Sequence, residues 1–344
     1  MLRELRGVWI ASHHHCSLWQ DRRALARALD QVREIGANTV FAAVWNRGYT
    51  AWPSAVMERQ GLPRQDPRYA QAGMDPLALV VELGRERGLK VIAWLEYGVA
   101  AEPVGAAGPL LAAKPEWAAL DRRGEVVAHG GLRWLNGLDG RVREFVAALV
   151  EEVVERYGVD GVQLDDHLAI PLTGSHDPAT LADFRRATGR SPGRRDDDHR
   201  WSLYRREVLA AWVAELGERI HSHRPGLLWC VSPAPLPSGR RQLMQDGARW
   251  LNEGRVDLVL PQLYRDSVGG FRRLLAANVR PVAVERRRQL VAGLALRVHG
   301  RELEEPVLRE MVRLSRRAGL GGVAFFHHTP LLASGAASAQ ALWA

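Results

Sequence analysis

The sequence predicts an α/β chain folded as a (β/α)8 TIM barrel with long loops after strands 2, 3 and 4. Three observations predict it. Strand-like and helix-like segments alternate along the 344 residues, giving eight strands with seven or eight helices, and such alternation implies a parallel sheet. The turn after the first strand holds Ala11-Ser12-His13-His14-His15, where a doubly wound nucleotide-binding sheet would carry a glycine-rich phosphate loop. Polar, chemistry-bearing residues gather just after the strands, the side on which barrel active sites lie. A single barrel over residues 1–344 fits this length.

In chain order, Leu5–Ala11 is the first strand. Asp21–Ile35 follows with Leu25, Leu29, Val32 and Ile35 on one helical face and Gly36 as its stop. Thr39–Trp45 is the second strand, and Asn46–Gly73 is a long Gly/Pro/Trp-rich loop. Asp75-Pro76 opens a helix with an N-cap and a first-turn proline, and Arg87-Gly88 ends it. Lys90–Tyr97 is the third strand, followed by the loop Gly98–Gly137 and the helix Asp139–Tyr157.

Gly161–Asp166 is the fourth strand. Ile170–Asp198 reads as a polar loop with one short helix near Leu181, and Asp198 caps a strong helix to His221. Leu227–Pro233, Val256–Tyr264, Gln289–Leu296 and Gly322–His328 are strands five to eight. Helices near Arg241–Gly254, Phe271–Asn278 and Glu304–Ala318 separate them, and Pro330–Trp343 is a weak closing helix.

Composition excludes several classes. With 47% hydrophobic and 25% charged residues, the chain is globular rather than disordered. No apolar run approaches the roughly 20 residues of a membrane span. The net charge of +8 raises nucleic-acid binding. However, Lys90 and Lys114 are the only lysines among 47 basic residues, and the arginines are scattered, which fits solvated faces better. Cys16 and Cys230 form neither a metal motif nor a disulfide framework. Met1–Arg6 lacks a signal-peptide core, so the expected location is cytoplasmic as written, or exported if a leader was removed. No cofactor is implied, and the oligomeric state is open.

The fourth strand organises the candidate site. Val162 and Leu164 alternate with Gln163 and Asp165, so the apolar pair should face the helices and Asp165 the barrel axis. Hydrolysis of a glycosidic bond needs two carboxyl groups, one ionised and one protonated. Asp165 is the first candidate and Glu96, on the adjacent third strand, the second. Adjacent strands allow either the shorter or the longer carboxyl spacing, so retention and inversion both fit. Asp166 is a third carboxylate, equally a structural hydrogen-bond acceptor.

Candidate substrate contacts at the strand ends are His13, His15, Trp45, Asn46, Arg47, Trp94, Tyr97, Trp134, Gln163, His167, Gln262, Tyr264 and His327. Tryptophans there suit the apolar face of a pyranose, or serve as core. The histidines are read as hydroxyl contacts or tuners of a carboxylate. A mixed metal set of His13 or His15 with Asp165 and His327 is the geometric alternative. Asp196-Asp197-Asp198 lacks the spacing and glycine of a calcium loop.

Ten segments then occur in a telling order: Arg6-Gly7-Val8-Trp9-Ile10-Ala11, Asn38-Thr39-Val40-Phe41, Arg47-Gly48, Asp75-Pro76-Leu77, Ala93-Trp94-Leu95, Leu135-Asn136, Val142-Arg143, Asp160 to Asp166, Val231-Ser232-Pro233 and Pro261-Gln262-Leu263-Tyr264. Together they resemble the glycosyl-hydrolase-like family 10 domain, a bacterial TIM-barrel group, nearly end to end. The resemblance implies a glycosidase-type barrel, with family members linked to peptidoglycan glycan strands, and it carries the active-site position to Asp165. Where that family usually has Asn-Pro-Tyr, this chain has Glu96-Tyr97-Gly98. The resulting expectation is a glycoside hydrolase acting on a polysaccharide or peptidoglycan-type glycan. A non-catalytic carbohydrate-binding barrel and a metal-dependent hydrolase or deacetylase are the alternatives.

Overall fold

The computed structural model describes residues 4–11, 17–329 and 341–343. Its framework is one eight-stranded parallel sheet. The strands are β1 (Leu5–Ile10), β2 (Thr39–Ala43), β3 (Lys90–Leu95), β4 (Gly161–Asp165), β5 (Leu228–Ser232), β6 (Leu258–Val259), β7 (Val291–Ala295) and β8 (Gly322–Phe326). Hydrogen bonding runs β6-β5-β4-β3-β2-β1-β8-β7. Parallel bridges Val259↔Leu290 and Gln262↔Gly293 bring β6 against β7 and nearly close the barrel. The TIM-barrel expectation therefore holds.

The helices between strands are α1 (Arg22–Glu34), α2 (Pro76–Glu86), α3 (Gly140–Arg156), α4 (Pro178–Thr188), α5 (His199–His223), α6 (Gly247–Asn252), α7 (Val268–Val279) and α8 (Glu305–Arg317). Asp21, Asp75, Asp139, Asp177, Asp198, Asp246 and Ser267 each cap one of the first seven through a side-chain oxygen, which satisfies otherwise orphaned first-turn N–H groups.

Two separate apolar clusters follow from strand alternation. Val162 and Leu164 join Leu25, Leu29 and Val32 in the layer between sheet and helices. Trp9, Phe41, Ile92, Trp94, Cys230, Leu260 and Ala324 fill the axis. Trp9 and Phe41 stack there at 5.1 Å. Gly7 makes the room, since a Cβ at that position would stand 2.7 Å from the Phe41 ring.

Several expected boundaries are corrected. The sixth strand is two residues long, because Pro261 has no N–H to continue the ladder. The helix expected near Arg241–Gly254 is instead two short ones, Ser238–Gln242 and α6. The short helix near Leu181 extends over Pro178–Thr188, and Phe271–Asn278 extends to Val268–Val279. The closing segment Pro330–Trp343 lies largely outside the described residues.

The long loops contain structure of their own. After β2, Trp45–Asn46 pairs antiparallel with Tyr49–Thr50 around Arg47-Gly48. After β3, Ala100–Pro103, Ala128–His129 and Leu132–Trp134 form a small antiparallel sheet. After β4, the fully buried Arg205 of α5 donates to the carbonyls of Leu172 (2.6 Å) and Asp196 (2.8 Å) and pins that loop. No helix among the described residues is long and apolar enough to cross a membrane.

Candidate active site

β3 and β4 run in register, Trp94 beside Gln163 and Leu95 beside Leu164. Glu96 and Asp165 therefore emerge next to one another at the C-terminal end of the barrel. Both are buried, at 9% and 3% exposure.

Three donors hold the Asp165 carboxylate. Trp94 Nε1 donates to Oδ2 at 3.0 Å, the His167 backbone N–H to Oδ1 at 2.9 Å, and His167 Nδ1 lies 3.0 Å from Oδ1. His167 Nδ1 is also 2.6 Å from the Glu96 carbonyl oxygen. Burial alone would lower the His167 pKa, but the Asp165 and Asp166 charges and these hydrogen bonds raise it to about 10. The imidazole is accordingly an imidazolium near neutral pH.

Burial, followed by the Asp165 charge, pushes Glu96 up to about 7. Asn46 Nδ2 donates to Glu96 Oε2 at 2.6 Å. Burial also raises Asp165, opposed by its contacts with His167. Asp165 has three hydrogen-bond contacts with donors against one for Glu96. Two carboxyl groups with raised pKa values thus stand side by side, Glu96 near the neutral range, and such tuning by burial and a like charge is what acid–base chemistry at neutral pH uses.

The other expected residues divide into groups. Gln262 Nε2 donates to Asp166 Oδ1 at 2.6 Å and so supports the third carboxylate. Tyr97 lies 5.6 Å from the His167 ring and Trp134 5.7 Å from it. Tyr264 stacks on Phe326 at 5.7 Å, with His327 edge-on to the same ring. Gln163 lies deeper on the axis, its Oε1 accepting from Trp9 Nε1 at 2.6 Å.

The structure does not bring all of them to an open surface. Trp45 is 0% exposed, bonds the Gly98 carbonyl and packs edge-on against Phe145. Trp94 and Trp134 are also buried, so none of the three offers a free face to a sugar in this conformation. Trp94 acts on Asp165 instead. His13 and His15 lie outside the described residues.

Sequence reasoning missed two neighbours. Gln245 Nε2 donates to the Asp165 and Leu168 carbonyls at 3.2 and 3.0 Å, and its Oε1 accepts from Ala234 N at 3.0 Å. It ties the end of β4 to that of β5. His129, in the small sheet after β3, loses basicity through burial while the Asp166 charge acts against that loss. Neither carried a signal for the site, since Gln245 fell within the helix expected near Arg241–Gly254 and His129 within the loop Gly98–Gly137.

Among the described residues, a metal has one candidate place. Asp165, Asp166 and His167 offer donor atoms within 4.8 Å of one another. Asp165 already takes hydrogen bonds from Trp94 and His167, and Asp166 one from Gln262, so a cation on those oxygens would compete with existing contacts. The cavity lined by Arg85, Lys90, Asp160 and Arg224 opens at the other, N-terminal end of the strands.

Comparison with known proteins agrees with this fold. The chain is 28% identical over 302 residues to the glycosyl hydrolase DigH of Escherichia coli (strain K12), across 76% of this chain and 65% of that protein. It thus spans about two thirds of that relative's length, and 54% of the glycosyl hydrolase YngK of Bacillus subtilis (strain 168), to which it is 25% identical over 76% of its own length. Among solved structures, α-L-fucosidase isoenzyme 2 from Paenibacillus thiaminolyticus superposes with a TM-score of 0.70 at 19% identity, covering 99% of this chain and 48% of that one. The PgaB (BpsB) glycoside hydrolase domain from Bordetella bronchiseptica does so with a TM-score of 0.67 at 16% identity, covering 94% and 93%. The model of the family "Glycosyl hydrolase-like 10" matches residues 4–301, and the chain belongs to that family.

Proposed function

We propose that the chain, as one barrel over residues 1–344, is a glycoside hydrolase cleaving O-glycosidic bonds of a polysaccharide or peptidoglycan-type glycan. The observation that carries this reading is the buried acid pair. Glu96, pushed up to about 7 by burial and the Asp165 charge, is the proton donor to the leaving-group oxygen, and Asp165 is the second acid, its raised pKa opposed by its contacts with His167 while Trp94 donates to its other oxygen. Family membership and the glycoside hydrolase neighbours support it. Asp165 would attack the anomeric carbon or activate a water, according to the carboxyl spacing. Asp166, bonded to Gln262, supports the pair by its charge on His167.

A binding-only barrel is the second reading, and one observation favours it. Ser232, in register with Asp165, gives its hydroxyl to the Leu260 carbonyl, so the end of β5 supplies no carboxylate.

The test is release of reducing ends from a panel of neutral, amino-sugar and uronate glycans by the wild type, with and without a chelator. Hydrolysis that survives chelation supports the acid-pair reading. Binding of glycans without any release favours the binding-only barrel, and loss on chelation points to the Asp165–Asp166–His167 donors.

A further inference from the structure

A cavity of about 490 Å³ opens at the N-terminal end of the barrel, on the face opposite the acid pair. The turns that lead into β3, β4 and β5 wall it. Its volume lies within the range of small-molecule sites, roughly 300–1,000 Å³.

Three cations converge there on three consecutive residues, Gly158, Val159 and Asp160. The Arg85 guanidinium lies against Gly158, in the space where a Cβ would stand at that position. Arg224 donates to the Val159 carbonyl. Lys90 Nζ lies 3.8 Å from Asp160 Oδ1. The second Asp160 oxygen accepts from the Val91 N–H at 2.9 Å. Asp160 is the one acid among the described residues that line the cavity. Three cations against one carboxylate leave two positive charges in excess.

The excess is not compensated by the protein. Among the described residues Arg85 makes no hydrogen bond or ion pair, and Arg224 spends one N–H on a carbonyl and meets no carboxylate. Other arginines on the helices behave differently. Arg22, Arg87 and Arg219 each meet a carboxylate within 3 Å. Arg87, two residues from Arg85, is held by Asp30. A concave surface of one sign concentrates its field on a counter-ion. Guanidinium forks and a lysine ammonium both suit phosphate oxygens. A phosphomonoester carries about −1.5 to −2 charges at pH 7, which matches the excess.

We propose that this cavity binds a phosphomonoester, with its phosphoryl oxygens on Arg85, Lys90 and Arg224 and its organic part against Leu89 and Leu227. The site stands at the far end of the strands that carry Glu96 and Asp165, and it does not rest on the glycosidase reading. A sugar phosphate and a nucleoside monophosphate share the required chemistry.

The experiment is calorimetric titration of the full chain with glucose 6-phosphate and with adenosine 5′-monophosphate, and with glucose and adenosine as uncharged controls. The wild type should bind an ester at one site with Kd below about 1 mM, and neither control. The ester bound more tightly identifies the source. Arg85→Gln should weaken binding by about tenfold, one charge-assisted contact. Its urea midpoint should match the wild type, because Arg85 has no protein partner to lose. Asp160→Asn keeps an acceptor for the Val91 N–H and removes the one negative charge, so binding should tighten. Arg272→Gln, on α7, removes an equal charge elsewhere on the surface and should leave Kd unchanged. Equal weakening by Arg85→Gln and Arg272→Gln would reduce the effect to net charge and overturn the site. So would an affinity unchanged in Arg85→Gln, or no binding of either ester up to about 10 mM.

Discussion

His167 Nδ1 lies 3.0 Å from Asp165 Oδ1, across the turn that ends β4. The same nitrogen reaches the main chain of Glu96 on the neighbouring strand. One imidazolium thus compensates the buried Asp165 and fixes its distance from the strand that carries the second acid. The site is a coupled unit, and its predictions follow from that coupling.

Glu96→Gln should remove the proton donor. Glu96 is raised to about 7 by burial and by the Asp165 charge. Wild-type kcat/KM should therefore fall as pH rises through about 7, when Glu96 ionises. The variant should lose that limb along with about 10²–10⁴ of the rate. A pH profile from 5 to 9 for both proteins checks it, and an unchanged alkaline limb in the variant sinks the assignment of Glu96.

Trp94→Phe keeps the ring and deletes the N–H that donates to Asp165 Oδ2. A donor to the charged form lowers a carboxyl pKa, so its loss raises the pKa of Asp165. The acidic limb of the profile should move to higher pH, and the rate at neutral pH should fall by about tenfold, one charge-assisted contact. A tryptophan that only stacked on sugar would change KM and leave the acidic limb in place.

The expected direction for stability follows from His167. Its folded pKa, about 10, exceeds the ordinary value of about 6.5. The stabilisation it gives is fully present below about pH 6.5 and is lost as pH rises through about 10. In urea titrations, the difference between wild type and His167→Gln should be largest near pH 6 and shrink toward pH 10. A difference independent of pH contradicts the imidazolium.

Arg205→Met tests the loop after β4. Arg205 donates to the Leu172 and Asp196 carbonyls from a fully buried position. Its loss leaves those acceptors without a donor, at a cost of about 2–5 kcal/mol. The urea midpoint should drop accordingly, and a midpoint within error of wild type would show that the guanidinium does not hold the loop.

Much of the barrel was legible because its signals are local. The alternation of Val162 and Leu164 with Gln163 and Asp165 located β4 and its inward face. The caps Asp75 and Asp198 located the starts of α2 and α5. β6 was overextended, because an apolar run hides the effect of Pro261 on the ladder. The role of the tryptophans was not legible either. Trp52 is buried because its Nε1 meets Glu152, 100 positions away on α3, and Trp94 because it bonds Asp165, 71 positions away. Composition and spacing do not encode such partners. Asn46 was expected to touch substrate, whereas the fold commits its amide to Glu96.

The central claim is that Asp165 is the charged half of an acid pair that breaks glycosidic bonds. Reducing-end release by wild type and Asp165→Asn, on a glycan that both proteins bind by calorimetry, tests it most directly. The account predicts release by the wild type and a loss of at least about a hundredfold in the variant, with Kd within a few fold. Full activity in Asp165→Asn, with binding unchanged, contradicts it.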